Sequence, residues 1–160
     1  MKFAIVSDTH SNMASFGKII DWLNKQKIKL VLHCGDINSQ ETIDEAQKSF
    51  KGEIKFVKGN ADHDLEQIPP SMEIELDKKK IFFVHFPAEA KKASESGKYD
   101  LVFYGHTHRA WEESVACLPA GRANCRMINP GEAAGQFYKP TFAIFDTETD
   151  ILELKILEKL

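Results

Sequence analysis

No apolar run in these 160 residues approaches the ~18 needed to cross a bilayer as a helix, so a membrane-spanning segment is not expected. The opening MKFAIVSDTH meets charge too soon for a signal peptide. Cysteine is scarce: Cys34, Cys117 and Cys125 give an odd count at no metal-binding spacing. That excludes a disulfide framework and reads as reduced thiols in a cytoplasmic protein. An excess of positive charge is also missing, because 21 Lys and Arg face 24 Asp and Glu for a formal net charge of −3. Binding along a nucleic-acid backbone is therefore not expected. A nucleotide-like substrate held by a few local contacts stays open, and so does a homo-oligomer. Repeats, linkers and low-complexity tracts are lacking, and the length suits one domain, residues 1–160.

What is present is a regular alternation. KFAIVS (2–7), KLVLH (29–33) and EIKFVK (53–58) are strand-like. Between the first two, Phe16, Ile19, Ile20 and Leu23 recur at helical spacing. Between the second and third, Ser39 and early acids open a second helix in SQETIDEAQKSF. This β-α-β-α-β order predicts parallel strands with crossover helices. The rhythm then changes. Residues 72–76 and 81–86 predict a hairpin joined by DKKK, Pro87 and Gly97 bracket a short helix, and 100–104 predicts another strand. Strands follow at about 111–118, 123–128, 141–146 and 151–157, with turns at PAG (119–121) and TETD (147–150). The expected fold is α/β, with two mixed sheets packed face to face and helices outside.

Histidine numbers only six, yet four of the six fall at the ends of apolar runs. The first run ends in Asp8-Thr9-His10, the second in Gly35-Asp36, the third in Gly59-Asn60, the next in His85, and LVFY in Gly105-His106-Thr107-His108. Ligand sites of open α/β sheets lie beyond the carboxyl ends of the strands. Asp8, His10, Asp36, Asn60, His85, His106 and His108 therefore converge as seven candidate ligands. Seven exceeds the three or so protein ligands of one catalytic zinc. It suits two divalent ions sharing a carboxylate, with Asp36, on a central strand, as the bridge. The mixture of carboxylate, amide oxygen and imidazole favours Mn, Ni, Fe or Zn over Ca or Mg.

In this order the motifs Asp8-x-His10, Gly35-Asp36, Gly59-Asn60-x-Asp62, His85 and Gly105-His106-x-His108 resemble those of calcineurin-like metallophosphoesterases, in particular the small YfcE-like phosphodiesterase branch. The resemblance spans nearly the whole chain, through NPG at 129–131. It implies a four-layer α-β-β-α sandwich. It assigns Asp8, His10, Asp36 and His108 to one metal, and Asp36, Asn60, His85 and His106 to the other. The implied activity is hydrolysis of a small phosphoester by metal-bound hydroxide, with Asp36, Asn60 and His85 acting through that hydroxide.

Two departures bear on specificity. Many family members carry histidine where this chain has Ala61, and that histidine helps bind phosphate or protonates the leaving group. Its loss favours a phosphodiester over an alkyl phosphomonoester. His63 is a candidate replacement. Relatives also often continue Gly-His after the ligand at 85, whereas this chain has Phe86-Pro87, which predicts a more apolar, stiffer pocket. Arg109 is a candidate phosphate contact, and Asn60 is expected to touch substrate as well as metal. Asn12 and Asp62 are candidates for orienting ligands, and His33 reads as a buried neighbour of the site rather than a ligand. NPGE (129–132) reads as a structural turn. The competing readings are a scaffold protein that keeps the fold, as in the superfamily's retromer subunit, and a nuclease. The first is expected to erode the ligands, all of which are present; the second wants an aromatic-basic platform that the sequence does not display.

Overall fold

The alternation of the first sixty residues folds as predicted in outline: three parallel strands with both crossover helices on one face. The structure is a computed structural model describing residues 1–117 and 124–160. In chain order its elements are β1 (Lys2–Val6), α1 (Met13–Lys25), β2 (Leu30–His33), α2 (Gln40–Ser49), β3 (Glu53–Phe56), β4 (Ser71–Leu76), β5 (Lys79–Val84), α3 (Pro87–Glu95), β6 (Leu101–Phe103), β7 (Trp111–Val115), β8 (Cys125–Asn129), β9 (Thr141–Asp146) and β10 (Ile151–Ile156), with a 3-10 turn at Leu157–Lys159. The PAG turn lies outside the described residues.

Two five-stranded mixed sheets form, ordered β10-β9-β1-β2-β3 and β4-β5-β6-β8-β7. β1, β2 and β3 run parallel, as do β5, β6 and β8, and the remaining pairs are antiparallel. Strand periodicity sorts the core into three layers. On β1, Ala4 and Val6 face α1 and α2 with Phe16, Ile19, Ile20 and Ile43. Phe3 and Ile5, with Phe145 of the neighbouring β9, face the second sheet, where Phe83 and Phe103 are fully buried. Val84, Val102 and Met127 face α3. The order is therefore helix, sheet, sheet, helix, a four-layer α-β-β-α sandwich. Each fully buried Phe or Leu contributes about 1.5–3 kcal/mol to holding the layers together.

Helix starts match their capping chemistry. Asn12 accepts the Ser15 N–H and Ser39 accepts the Thr42 N–H. The β4–β5 connection is tighter than the four residues DKKK suggest. Leu76 pairs with Lys79, leaving Asp77 and Lys78 as a two-residue turn with φ of 49° and 68°. Both central residues in the left-handed region fit the twist of a hairpin. β3 ends at Phe56 and β5 at Val84, earlier than the apolar runs, because the next residues turn into the loops that carry Asn60 and His85. Among the described residues no helix is long and apolar enough to cross a membrane.

Candidate metal centre

The carboxyl ends of β1, β2, β3, β5 and β6 meet where the two sheets abut. Three glycines set how closely. A Cβ on Gly35 would lie 2.7 Å from His85 Nδ1, one on Gly59 2.2 Å from Asp36 Oδ1, and one on Gly105 2.0 Å from Ser7 Oγ. These are the glycines preceding Asp36, Asn60 and His106. They let neighbouring loops approach closer than any side chain would allow.

Asp8, His10, Asp36 and His108 place one ligand atom each within 4.8 Å of one another. His10 Nε2 lies 3.4 Å from His108 Nε2 and 3.7 Å from Asp36 Oδ2, and His108 Nε2 lies 3.4 Å from Asp8 Oδ1. On the other side of Asp36, Oδ1 is 3.4 Å from His85 Nε2. Asn60 Oδ1 sits 3.0 Å from His85 Nε2 and 2.8 Å from His106 Nδ1. The two oxygens of Asp36 thus face different groups. Asp8, Asp36 and His85 are buried, His10 and His108 half-buried, and Asn60 and His106 exposed, so the centre opens toward Asn60 and His106.

Hydrogen bonds fix what each histidine presents. His85 donates Nδ1–H to the Cys34 carbonyl at 2.8 Å, so its Nε2 offers a lone pair. Burial lowers its pKa and keeps it neutral. That lone pair, Asn60 Oδ1 and Asp36 Oδ1 are three acceptors meeting without a proton between them, an arrangement a cation resolves. His108 donates Nδ1–H to Glu132 Oε2 at 3.0 Å and turns Nε2 toward Asp8 and His10. Burial pushes the Asp8 carboxyl up to about 7, and the charge of Asp36 adds to the push. A divalent cation would reverse that penalty. Donor chemistry and geometry therefore fit a divalent metal among Asp8, His10, Asp36 and His108.

Five of the seven candidates have positive φ: Asp8 53°, His10 43°, Asp36 58°, His106 68° and His108 59°. Such conformations in non-glycine residues cost of order 1–3 kcal/mol each and persist where the surroundings impose them. For Asp36 that imposition comes from Asp62. Fully buried, its carboxylate accepts the N–H of Asp36 (2.9 Å), Ile37 (2.7 Å), Asn38 (2.6 Å) and Gly59 (2.7 Å), tying the Asp36 and Asn60 loops together. The Ala61 N–H donates to Asp36 Oδ1 at 2.8 Å, so position 61 steadies that carboxylate through its backbone.

The other candidates fall elsewhere. His33 is buried on the helix side of β2, between the rings of Phe16 and Phe56. Its Nδ1 accepts the Gly35 N–H, so Nε2–H donates to Thr9 Oγ1. Among the described residues Asn12 has no hydrogen bond to a candidate ligand's side chain; it caps α1 and donates to the Ala134 carbonyl. His63 is exposed, and its ring makes no hydrogen bond among the described residues. Arg109 is exposed beside Tyr104, Thr107, Trp111 and Tyr138. The Phe86 ring packs on His85 and His106, centroids 5.1 and 5.2 Å away, which supplies the apolar wall expected after position 85. A cleft of about 550 Å³ lies around Lys2 and Trp22 at the opposite ends of the strands, and no histidine or aspartate is among its lining residues.

One residue escaped sequence reasoning. Glu132, which reads in sequence as part of a turn, is fully buried and accepts from His108 and from the N–H groups of Gln136, Phe137 and Tyr138. Burial opposes its ionisation, but those donors outweigh it and hold its pKa below the ordinary value. Only a carboxylate in a Gly-Glu turn signalled it, and nothing in the spacing linked it to His108.

The chain is similar to known proteins over nearly its whole length. The calcineurin-like phosphoesterase superfamily domain is matched by residues 1–150. The chain is 34% identical over 165 aligned positions to the phosphodiesterase MJ0936 of Methanocaldococcus jannaschii, covering 92% of this chain and 94% of that one. The structure of an archaeal phosphodiesterase superposes with a TM-score of 0.84 at 31% identity, over 98% of this chain and 99% of the other. That of Yfce, a phosphoesterase from E. coli, shares the fold with a TM-score of 0.73 at 19% identity, over 99% and 94%. By its fold, its order of motifs and its relatives, the chain belongs to the calcineurin-like phosphoesterase superfamily.

Proposed function

We propose that this protein is a metal-dependent phosphodiesterase, one domain working in the cytoplasm on a small phosphodiester. One position would be held by Asp8, His10, Asp36 and His108, the other by Asp36, Asn60, His85 and His106. The observation that carries this reading is Asp36, whose Oδ2 faces His10 and whose Oδ1 faces His85. When bound, two divalent cations supply Lewis acidity to the phosphoryl oxygens and acidify an attacking water. Mn suits this donor set, as do Ni, Fe and Zn.

The chain's own groups do the rest. Asp62 and the Ala61 N–H hold Asp36 at one angle, so little reorganises during reaction. Cys34 and Glu132 fix the tautomers of His85 and His108. The exposed Asn60 and His106 edge is where a phosphate reaches the centre. Ala61 brings no acid to protonate a poor leaving group, and the exposed His63 shows no ring contact that would align it as a substitute. This favours diesters and activated aryl esters over alkyl monoesters. A scaffold reading leaves unexplained why all seven ligands, their tautomers and their strained backbone are kept.

The test pairs elemental analysis of the purified protein with hydrolysis of bis(4-nitrophenyl) phosphate and of an alkyl monoester, glycerol 2-phosphate, each with Mn, Ni, Fe and Zn. The expectation is kcat/KM at least about tenfold higher for the diester and loss of activity in Asp36→Asn. Preference for the monoester would overturn the reading of Ala61. Full activity in Asp36→Asn would overturn the metal mechanism.

A further inference from the structure

Beside the candidate centre the fold gathers aromatic rings that the sequence keeps apart. Trp111, Phe137 and Tyr138 are 52%, 74% and 55% exposed, an unusual state for three large rings in one region. A cleft of about 350 Å³ is lined by Tyr104, Thr107, Arg109, Trp111 and Tyr138. It borders the centre along the chain. Thr107 lies between His106 and His108, Arg109 follows His108, and Phe137 sets its ring against His108 at 5.1 Å between centroids. The floor is built rather than loose. Asn129 donates to Thr107 Oγ1 at 3.0 Å, and Glu132 anchors the backbone of Phe137 and Tyr138 while holding His108.

We propose that this cleft binds the nucleobase of a nucleotide phosphodiester whose phosphate lies at the metal centre. This names the substrate class of the activity proposed above and rests on that reading for the phosphate end. The volume is at the small end of ligand clefts and suits one planar ring. Trp111 and Tyr138 offer π faces for stacking. Arg109 supplies a guanidinium that stacks or donates, and Thr107 and the tyrosines carry hydroxyls. A purely hydrocarbon substituent would leave those donors and acceptors unused. Three rings and one arginine make a pocket for a single base, not a track for a strand, in keeping with the acidic net charge.

The test reads the pocket without catalysis. Trp22→Phe leaves Trp111 as the sole tryptophan, and its fluorescence is titrated with adenosine, and separately with ribose, in EDTA. Adenosine is expected to quench saturably and ribose not at all. Tyr138→Ala or Arg109→Ala on that background should weaken the adenosine response about fivefold or more. Absence of saturable quenching, equal quenching by ribose, or two variants that titrate like the parent would overturn the assignment. Because the metals are chelated, the outcome is separable from hydrolysis. Saturable quenching in a protein that hydrolyses no ester would retain the pocket and sink the phosphodiesterase reading. Hydrolysis without quenching would do the reverse.

Discussion

Glu132 holds His108 by the nitrogen turned away from the centre, its Oε2 3.0 Å from Nδ1. The same carboxylate takes three successive backbone N–H groups, from Gln136 to Tyr138. One buried acid thus sets the tautomer of a candidate ligand and shapes the loop that carries Phe137 and Tyr138. Glu132→Gln keeps the volume but leaves one acceptor oxygen for four donors. Metal affinity at the Asp8/His10 position should fall about 10- to 100-fold. Calorimetric titration of the metal-free protein measures this, and an unchanged isotherm would remove Glu132 from the metal site.

Asp62 does for Asp36 and Asn60 what Glu132 does for His108. Asp62→Asn places an amide N–H against backbone N–H donors in a fully buried site. Buried charge-assisted hydrogen bonds are worth about 1.5–3 kcal/mol each, and their donors would be stranded. A loss of about 3 kcal/mol is expected in urea denaturation, with weaker metal binding at both positions because Asp36 serves both.

The strand-end polar residues that the fold gathers were legible because each is a local event: an apolar run stops and a polar residue follows it. Asp8, Asp36, His85 and His106 could be marked from ten residues of context. The layer order was equally legible from β-α-β alternation. Glu132 was not, since its partner His108 lies 24 residues back and only closure of the second sheet joins them. Nor were the left-handed backbones of Asp8 and Asp36, which are imposed by contacts from other strands. The two-residue turn at Asp77-Lys78 was obscured by three lysines that look alike in sequence but divide between turn and strand. The aromatic cleft was invisible for the same reason as Glu132: Trp111 and Tyr138 are neighbours only after folding.

Glycines separate site geometry from helix propensity. At Gly105 a Cβ would sit 2.0 Å from Ser7 Oγ and 2.8 Å from Asp8 Oδ2. Gly105→Ala must push β6 from β1, with an expected loss of about 2–3 kcal/mol and of metal binding. Gly17 lies in α1, where an added methyl would meet no atom within 4 Å, so Gly17→Ala should gain about 0.8 kcal/mol. Urea denaturation of the two variants checks the contrast.

His33 gives a pH dependence whose sign is fixed by burial. Enclosed by Phe16, Phe56 and Thr9, its pKa is pushed down to about 3 in the folded protein. The unfolded chain, with an ordinary pKa near ~6.5, therefore binds a proton that the folded chain refuses. The resulting stability is present above the unfolded value and is lost as pH falls from about 6.5 toward 3. His33→Gln retains an acceptor and a donor and removes the titration. Below pH ~6 its stability should fall with a slope shallower by up to about 1.4 kcal/mol per pH unit. Urea midpoints at pH 7, 6, 5 and 4 measure this, and parallel slopes would contradict it.

His106 and His108 are one residue apart yet point at different partners. His106 Nδ1 meets Asn60 Oδ1 at 2.8 Å, whereas His108 Nε2 meets Asp8 Oδ1 and His10 Nε2 at 3.4 Å. Both backbones are left-handed, with φ of 68° and 59°, and the two alternate residues meet different partners. Removing either should therefore weaken a different ion. His108→Ala loses a half-buried ligand that Glu132 orients, and it should abolish the site sharing Asp8 and His10. His106→Ala loses an exposed ligand and should spare that site while weakening the one shared with Asn60 and His85. Calorimetry with Mn on each variant, counting the tight sites that remain, is the measurement. The double variants His108→Ala with His10→Ala, and His106→Ala with Asn60→Ala, complete it: each should leave the other site's ion bound, whereas His106→Ala with His10→Ala should weaken both.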